Sequence, residues 1–175
     1  MRLIIVSGLS GSGKSVALNM REDLDDYCVD NIPAGLLGAF ISHTIRSGDK
    51  GYQRTAVGLD ARNEAAEILS VPHQVRDLRR SGIACEIIYL HADEPIILRR
   101  YAETRRRHPL SREGADLRAA IAEERRLLEP IIYSADLVID SSRLSVHELR
   151  EMIRARVEQR AAGRLSIMFE SFGFK

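Results

Sequence analysis

The sequence predicts an α/β fold in which a parallel sheet is flanked by helices, and two observations carry that reading. Short β-rich runs alternate with longer helical patterns along the chain, the mark of βαβ units. The first of these runs, Leu3-Ile4-Ile5-Val6, leads into the octapeptide Gly8-Leu9-Ser10-Gly11-Ser12-Gly13-Lys14-Ser15, which fits GxxxxGK(S/T) at every fixed position. A glycine-rich loop between strand and helix is a phosphate-binding P-loop in its expected context, so the fold is P-loop NTPase/kinase-like. With 175 residues, the chain suits one domain, since folds of this size bury roughly 70% of the surface their unfolded chains expose.

The elements follow in order. Leu3 to Ser7 reads as the first strand, Val16 to Leu24 as the helix behind the P-loop, and Tyr27 to Asp30 as a short strand closed by Asn31-Ile32-Pro33. Ala34 to Arg46 reads as a helix and Arg54 to Leu59 as a strand ending at Asp60. The next helical stretch is expected to break near Ser70-Val71-Pro72 and to resume until Ser81-Gly82, because proline removes a helix donor and clashes with the preceding turn. Ala84 to Leu90 is nearly continuous in apolar residues, as in a strand buried on both faces. Helix Glu94 to Thr104 has Pro95 in its tolerant first turn.

A polar, arginine-rich segment from Arg105 to Gly114 precedes a helix from Asp116 to Leu128, and Leu137 to Asp140 is the last strand of the series. Ser145 and Glu148 have capping-box spacing, opening a helix whose core stripe is Val146, Leu149, Ile153 and Val157. Leu165 to Phe174 then alternates like a new strand. We expect a P-loop nucleotide-binding domain over residues 1–162, with 163–175 the start of a further C-terminal domain.

Composition narrows the function classes. Charged residues make up 29% and nearly cancel, to a formal +1, so a polyanion partner would have to meet a local patch. Cys28 and Cys85 sit in apolar, strand-like stretches and read as reduced core residues of a cytoplasmic protein. No run approaches the roughly 18 apolar residues that span a bilayer, so no membrane partner is expected. His43, His73, His91 and His147 are spaced apart from one another and from cysteine, and no zinc site is expected.

The P-loop glycines let successive backbone N–H groups point at phosphate oxygens. Lys14 would reach the β and γ phosphates and the Ser15 hydroxyl would suit Mg²⁺, with the helix dipole aimed at the same anion. A nucleoside triphosphate, ATP or GTP, is the expected ligand. The site also needs an acid near the metal and cations for the moving phosphoryl charge. Asp30 and Asp60 each close an expected strand and would face the crevice at the carboxyl ends of the sheet. Asp60 is the first choice, since it opens Asp60-Ala61-Arg62-Asn63, a cluster able to serve Mg²⁺, phosphate, base or sugar. Asp30-Asn31 reads equally well as an Asx turn entering a helix.

Lys14, Asp60 and Arg62 are therefore the candidate catalytic residues. Arg105, Arg106 and Arg107 are candidates for a lid over the triphosphate, with a solvated charge run as the alternative. His108 beside them reads as an exposed loop histidine. The window from Arg99 to Arg126 holds nine arginines against five acids, which could form a basic face for RNA.

With these residues in view, the sequence resembles the RapZ/YvcJ family of bacterial P-loop nucleotide-binding proteins. The resemblance runs through the P-loop, Tyr27-Cys28-Val29-Asp30-Asn31-Ile32-Pro33, Asp60-Ala61-Arg62-Asn63, Arg99-Arg100-Tyr101, Thr104 to Leu110, Leu128-Glu129-Pro130, Ser145 to Leu149 and Phe169 to Lys175. Only the first is generic to P-loop proteins. It implies ATP and GTP binding with weak hydrolysis, a first nucleotide contact at Gly8 to Ser15 and a second at Asp60 to Asn63. It implies in addition a C-terminal domain, and a role as an RNase adapter that meets small RNA and an endoribonuclease through the full-length protein, with a homo-oligomer allowed. Ala61 replaces the valine of the family's usual Asp-Val-Arg-Asn. Leu9 stands where the family often has a longer or basic residue. Residue chemistry alone accommodates a second reading, a small-molecule kinase of nucleotide or shikimate type, and no Asn-Lys-x-Asp guanine reader settles the base.

Overall fold

The computed structural model describes residues 1–111 and 116–161. Its centre is a five-stranded parallel sheet built from β1 (Arg2–Gly8), β2 (Tyr27–Val29), β3 (Arg54–Gly58), β4 (Ala84–His91) and β5 (Leu137–Asp140), in the order β2-β3-β1-β4-β5. The helices are α1 (Lys14–Asp23), α2 (Leu37–Ser47), α3 (Ala65–Arg80), α4 (Glu94–Thr104), α5 (Leu117–Ser134) and α6 (Val146–Ala161). Parallel strands need crossover helices, and crossovers cover both faces of the sheet.

That coverage explains the uninterrupted apolar runs. Side chains of β1 alternate between two cores: Leu3 and Ile5 pack with α2, α3 and α5 through Leu37, Ile41, Ile68, Val71, Val75, Leu128 and Ile131, while Ile4 and Val6 pack with α1 and α6 through Ala17, Leu18, Met20, Leu149 and Ile153. A third, smaller cluster of Leu9, Ala92, Ile97 and Ile121 sits under α4 and α5 beside the P-loop. The register pairs Ile4 with Ala56 on one side and with Glu86 on the other. Glu86 is 2% exposed and meets Arg156 of α6 at 2.9 Å, so the one charge in the β4 core is paired.

Three sequence expectations change. α3 runs unbroken through Pro72, and α5 continues past Leu128 through Pro130 to Ser134. A proline inside a helix costs about 3 kcal/mol, but Val71 and Val75 flank Pro72 in the core, and Ile131 follows Pro130 with no surface exposed. Burying such side chains is worth about 1.5–3 kcal/mol each, so tertiary packing wins over the local breaker. Val146, expected in the core stripe of α6, is 61% exposed because it precedes the first turn that meets the sheet, whereas Leu149, Ile153 and Val157 are buried. The capping box forms as expected: the Glu148 N–H donates to Ser145 Oγ at 3.1 Å and the Ser145 N–H to Glu148 Oε2 at 2.7 Å. The residues expected to open a second domain, 163–175, lie outside the described residues, as do 112–115 of the arginine-rich segment.

At the amino ends of the strands, the fully buried Asp26 carboxylate pairs with Arg21 and, at 2.7 Å, with Arg54. This ties the end of α1 to the start of β3. Removing the anion strands a buried guanidinium. Asp26→Asn is therefore expected to destabilise the fold by about 3–5 kcal/mol, measured by urea titration; a loss below 1 kcal/mol would show that the arginines find water instead.

Candidate nucleotide-binding site

The site lies at the carboxyl end of the central strand β1, where connections leave toward opposite edges of the sheet: β2 and β3 on one side, β4 and β5 on the other. Ligands of open α/β folds bind in the crevice at such a switch point. Gly8 closes β1 with φ +145°, and a Cβ there would meet the Leu90 carbonyl oxygen at 2.2 Å. Only glycine lets the loop start this close to β4. Gly13, at φ 107°, precedes Lys14 as the N-cap of α1, and a Cβ on it would strike Leu149 at 2.6 Å.

Four carbonyls of the loop are occupied by protein. Leu9 O accepts from Ser12 N at 3.0 Å and from Ser12 Oγ at 2.5 Å, Gly11 O from Arg100 at 2.8 Å, Ser12 O from Ser141 Oγ at 2.6 Å and Gly13 O from Ala17 N at 3.0 Å. By contrast, the N–H groups of Gly11, Gly13, Lys14 and Ser15 have no acceptor among the described hydrogen bonds. Unpaired N–H groups at a helix N-terminus form an anion cradle.

Lys14 stands beside this cradle with its side chain 16% exposed, 3.8 Å from Asp60 Oδ2. Burial pushes its ammonium below the ordinary range, while Asp60 and Glu124 hold it up. Asp60 is 5% exposed. Burial favours its neutral form, but hydrogen bonds from Arg62 and the charge of Lys14 outweigh burial and hold the carboxyl below its ordinary 3.8. Arg62 grips both oxygens, at 2.6 Å through Nη2 and 3.0–3.1 Å through Nε, and its backbone N–H adds a bond of 2.9 Å. The Asn31 amide, with its nitrogen toward Asp60, lies 3.2–3.3 Å from that carboxylate and accepts from Arg62 at 3.2 Å.

The structure thus brings Lys14, Asp60 and Arg62 together, as the sequence proposes. The remaining residues of the tetrapeptide are used differently. Ala61 is buried, and Asn63 fastens the loop, accepting from Ala34 N at 2.6 Å and donating to Asp60 O at 3.1 Å. Only Arg62 keeps an exposed side chain, 52%. Ser15 is exposed at the first turn of α1. Asp30 is exposed too, and it approaches Gly58 so closely that a Cβ there would meet its Oδ1 at 3.1 Å.

Arg105, Arg106 and Arg107 are exposed just beyond α4, with Arg105 at φ 52° ending the helix. His108 corrects the sequence reading: it is 2% exposed, not an open loop residue. Its Nε2 meets Glu124 Oε2 at 2.7 Å, and Glu124 Oε1 accepts from Ser10 N at 2.8 Å and Ser10 Oγ at 2.6 Å. Sequence reasoning overlooked Glu124, which sits in a helix full of charges. The one available signal is its place on the apolar stripe, three residues after Ile121 and four before Leu128. Arg100, named in the sequence only within Arg99-Arg100-Tyr101 and without a role, bridges Gly11 O to Ser141 O, at 2.8 and 2.7 Å. Separately, His91, Asp93 and Asp140 gather ligand atoms within 4.8 Å of one another at the ends of β4 and β5. Burial and the charge of Arg125 push His91 down, toward the neutral form that binds metals.

This fold and this loop define a P-loop nucleotide-binding protein with kinase-like architecture. Residues 1–161 match the RapZ-like N-terminal domain, and the chain belongs to that family. It is 49% identical over 175 residues to a nucleotide-binding protein of Thioalkalivibrio sulfidiphilus and 45% identical to one of Methylococcus capsulatus, covering all of this chain and 61% and 59% of theirs. The chain thus spans about three fifths of these curated relatives. Among solved structures, it is similar to YorR of Bacillus subtilis in complex with phosphorylated GDP (TM-score 0.58, 17% identity, 91% of this chain and 98% of that one). A similar likeness links it to shikimate kinase of Bacteroides thetaiotaomicron (TM-score 0.55, 12% identity, 89% and 98%). At these identities the likeness concerns the fold alone.

Because the folded carboxyl of Asp60 sits below its ordinary 3.8, its contribution to stability is full above that value and is lost as pH falls through the lower folded value. The stability difference between the parent and Asp60→Asn, followed by urea titration, is expected to hold from pH 7 to about 4 and to shrink below. A difference independent of pH down to about 2 would remove the ion pair with Lys14 and Arg62 as its source.

Proposed function

We propose that this chain is the nucleotide-binding module of a regulatory protein, taking ATP or GTP with Mg²⁺ and hydrolysing it slowly. The observation that carries the reading is the set of N–H groups on Gly11, Gly13, Lys14 and Ser15 without an acceptor among the described hydrogen bonds, while the carbonyls of Leu9, Gly11, Ser12 and Gly13 are bonded elsewhere. Such a cup accepts phosphate oxygens and rejects cations.

Ser15 and Asp60 offer the hard oxygen donors that Mg²⁺ takes. When bound, the ion supplies charge neutralisation at the phosphates. Arg62 has to release part of Asp60 for that role, since it occupies both carboxylate oxygens. The same grip supports slow turnover: Asp60 is held as an ion-pair partner and is not free to orient an attacking water. Arg62 and the exposed Arg105, Arg106 and Arg107 are the cations available to the transferring phosphoryl group.

The kinase reading keeps one supporting observation. Asp30 presents an exposed carboxylate beside the site, within electrostatic reach of Lys14 and Arg62, where a base for an acceptor hydroxyl would sit. Against an RNA face between Arg99 and Arg126 stand its internal bonds. Arg126 pairs with Glu123, Arg118 with Glu94 and Arg125 with Ala92 O, and Arg100 is committed to the P-loop. Contacts with small RNA and an endoribonuclease, in a cytoplasmic and homo-oligomeric setting, are accordingly proposed for the full-length protein. No described helix is long and apolar enough to cross a membrane.

Calorimetric titration with non-hydrolysable ATP and GTP tests the reading. Lys14→Ala should weaken triphosphate binding about 10- to 100-fold, as expected for loss of a charge-assisted bond, while keeping the fold; unchanged affinity would remove the P-loop's role. Asp60→Asn should spare affinity in EDTA and lower Mg²⁺-dependent phosphate release. Fast transfer to an added small-molecule acceptor, abolished in Asp30→Asn, would instead select the kinase.

A further inference from the structure

Glu124 and His108 form a fully buried pair, both side chains at 0% exposure, whose position calls for a reason. A buried carboxylate is costly unless its oxygens are bonded, and here the bonds run in two directions. Oε1 takes the N–H and the hydroxyl of Ser10, in the middle of the P-loop. Oε2 takes His108 Nε2, one residue after Arg107. On the far side of the ring the Leu110 N–H donates to His108 Nδ1 at 3.0 Å. Since Nδ1 accepts there, the neutral ring carries its proton on Nε2 and donates it to Glu124, leaving the carboxylate ionised. Tyr101 closes the cluster: its ring lies 5.6 Å from the His108 ring, and a Cβ on Gly11 would meet its ring edge at 3.4 Å.

We infer that Glu124 is a positioning residue which, through His108, joins the P-loop to the segment carrying Arg105, Arg106 and Arg107. Leu110 donates to His108, and His108 and Ser10 both donate to Glu124, so displacement at the loop is felt at the arginines and the reverse. An anion in the cradle fixes Gly11 and its neighbour Ser10; Ser10 fixes Glu124, and Glu124 fixes the turn from which the arginines extend. The inference rests on the nucleotide-binding reading for its trigger but not for the bonds themselves.

Glu124→Gln isolates the link. The amide keeps an acceptor for Ser10 but turns an N–H toward the N–H of His108. The ring escapes that clash only by moving its proton to Nδ1, where it faces the Leu110 N–H. One bond is lost either way.

Hydrogen exchange of the 175-residue chain, with and without saturating Mg²⁺ and non-hydrolysable ATP, reads the consequence. In the parent, nucleotide should slow the amides of the P-loop and of 105–110 together. In Glu124→Gln the P-loop should still slow, while the response at 105–110 falls roughly tenfold, the worth of one net hydrogen bond. A merely structural glutamate would weaken both responses or neither. Equal responses in variant and parent, or a parent whose P-loop responds without 105–110, would overturn the inference. If neither region responds in the parent, the nucleotide reading fails by itself. The link is then judged from the ligand-free exchange of Ser10 and Leu110, which must speed up in the variant for the link to stand. Should Glu124→Gln fail to fold, Ser10→Ala removes only the hydroxyl bond and should diminish the same response in part; an undiminished response would overturn the inference.

Discussion

Everything at the phosphate end depends on the close approach of β1 to β4. The register that sets Gly8 opposite Leu90 continues into the loop as a bond from Leu9 N to Leu90 O at 3.2 Å. That contact fixes where the loop begins, and the left-handed Gly13 fixes where it ends. Between the two points the chain must fold back on itself, and the resulting turn hands its carbonyls to Arg100, Ser141 and Ser12, leaving its donors for an anion. The neighbouring elements matter to the site mainly through these carbonyl partners: Arg100 comes from α4, and Ser141 follows β5.

Electrostatics then divides the crevice into two unlike halves. On the β3 side the Asp60 carboxylate is shared by Lys14, Arg62 and the Asn31 amide. On the α5 side a single buried anion, Glu124, holds the loop without any facing cation at bonding distance among the described residues. Both acids oppose the effect of burial on Lys14. The cation that a phosphate would meet is thus kept charged from two directions, at the cost of two anions close to an anion site. Both anions are tightly bonded, Asp60 to Arg62 and Glu124 to Ser10 and His108.

Much of this was legible in the sequence because it obeys local rules. The sheet followed from apolar runs of strand length, the P-loop from fixed spacing, and the position of Asp60 at the crevice from its place after a strand. What was not legible depends on partners distant in the chain. Pro72 and Pro130 look like helix breakers until Val71, Val75 and Ile131 are seen in the core. His108 looks exposed among arginines until Glu124, 16 residues away, meets it inside the protein. Asn63, expected at the nucleotide, also fastens its loop to Ala34, 29 residues earlier. Polar side chains are ambiguous in this way because the same group serves equally as ligand or as staple, and only its neighbours decide.

The strand order has a consequence for how the chain acquires its shape. β1 is first in sequence, but its two neighbours are β3 and β4, so Arg2 pairs with Arg54 and Ala84. During synthesis the run Leu3 to Val6 therefore waits for about fifty more residues for one flank and about eighty for the other. Contacts of such sequence separation form slowly, and an unpaired apolar strand is exposed to aggregation in the meantime. The phosphate loop hangs from that same strand, so its geometry cannot precede the sheet. Binding competence therefore presupposes the paired strand, and a ligand recognising the finished loop would draw the whole chain toward the native state.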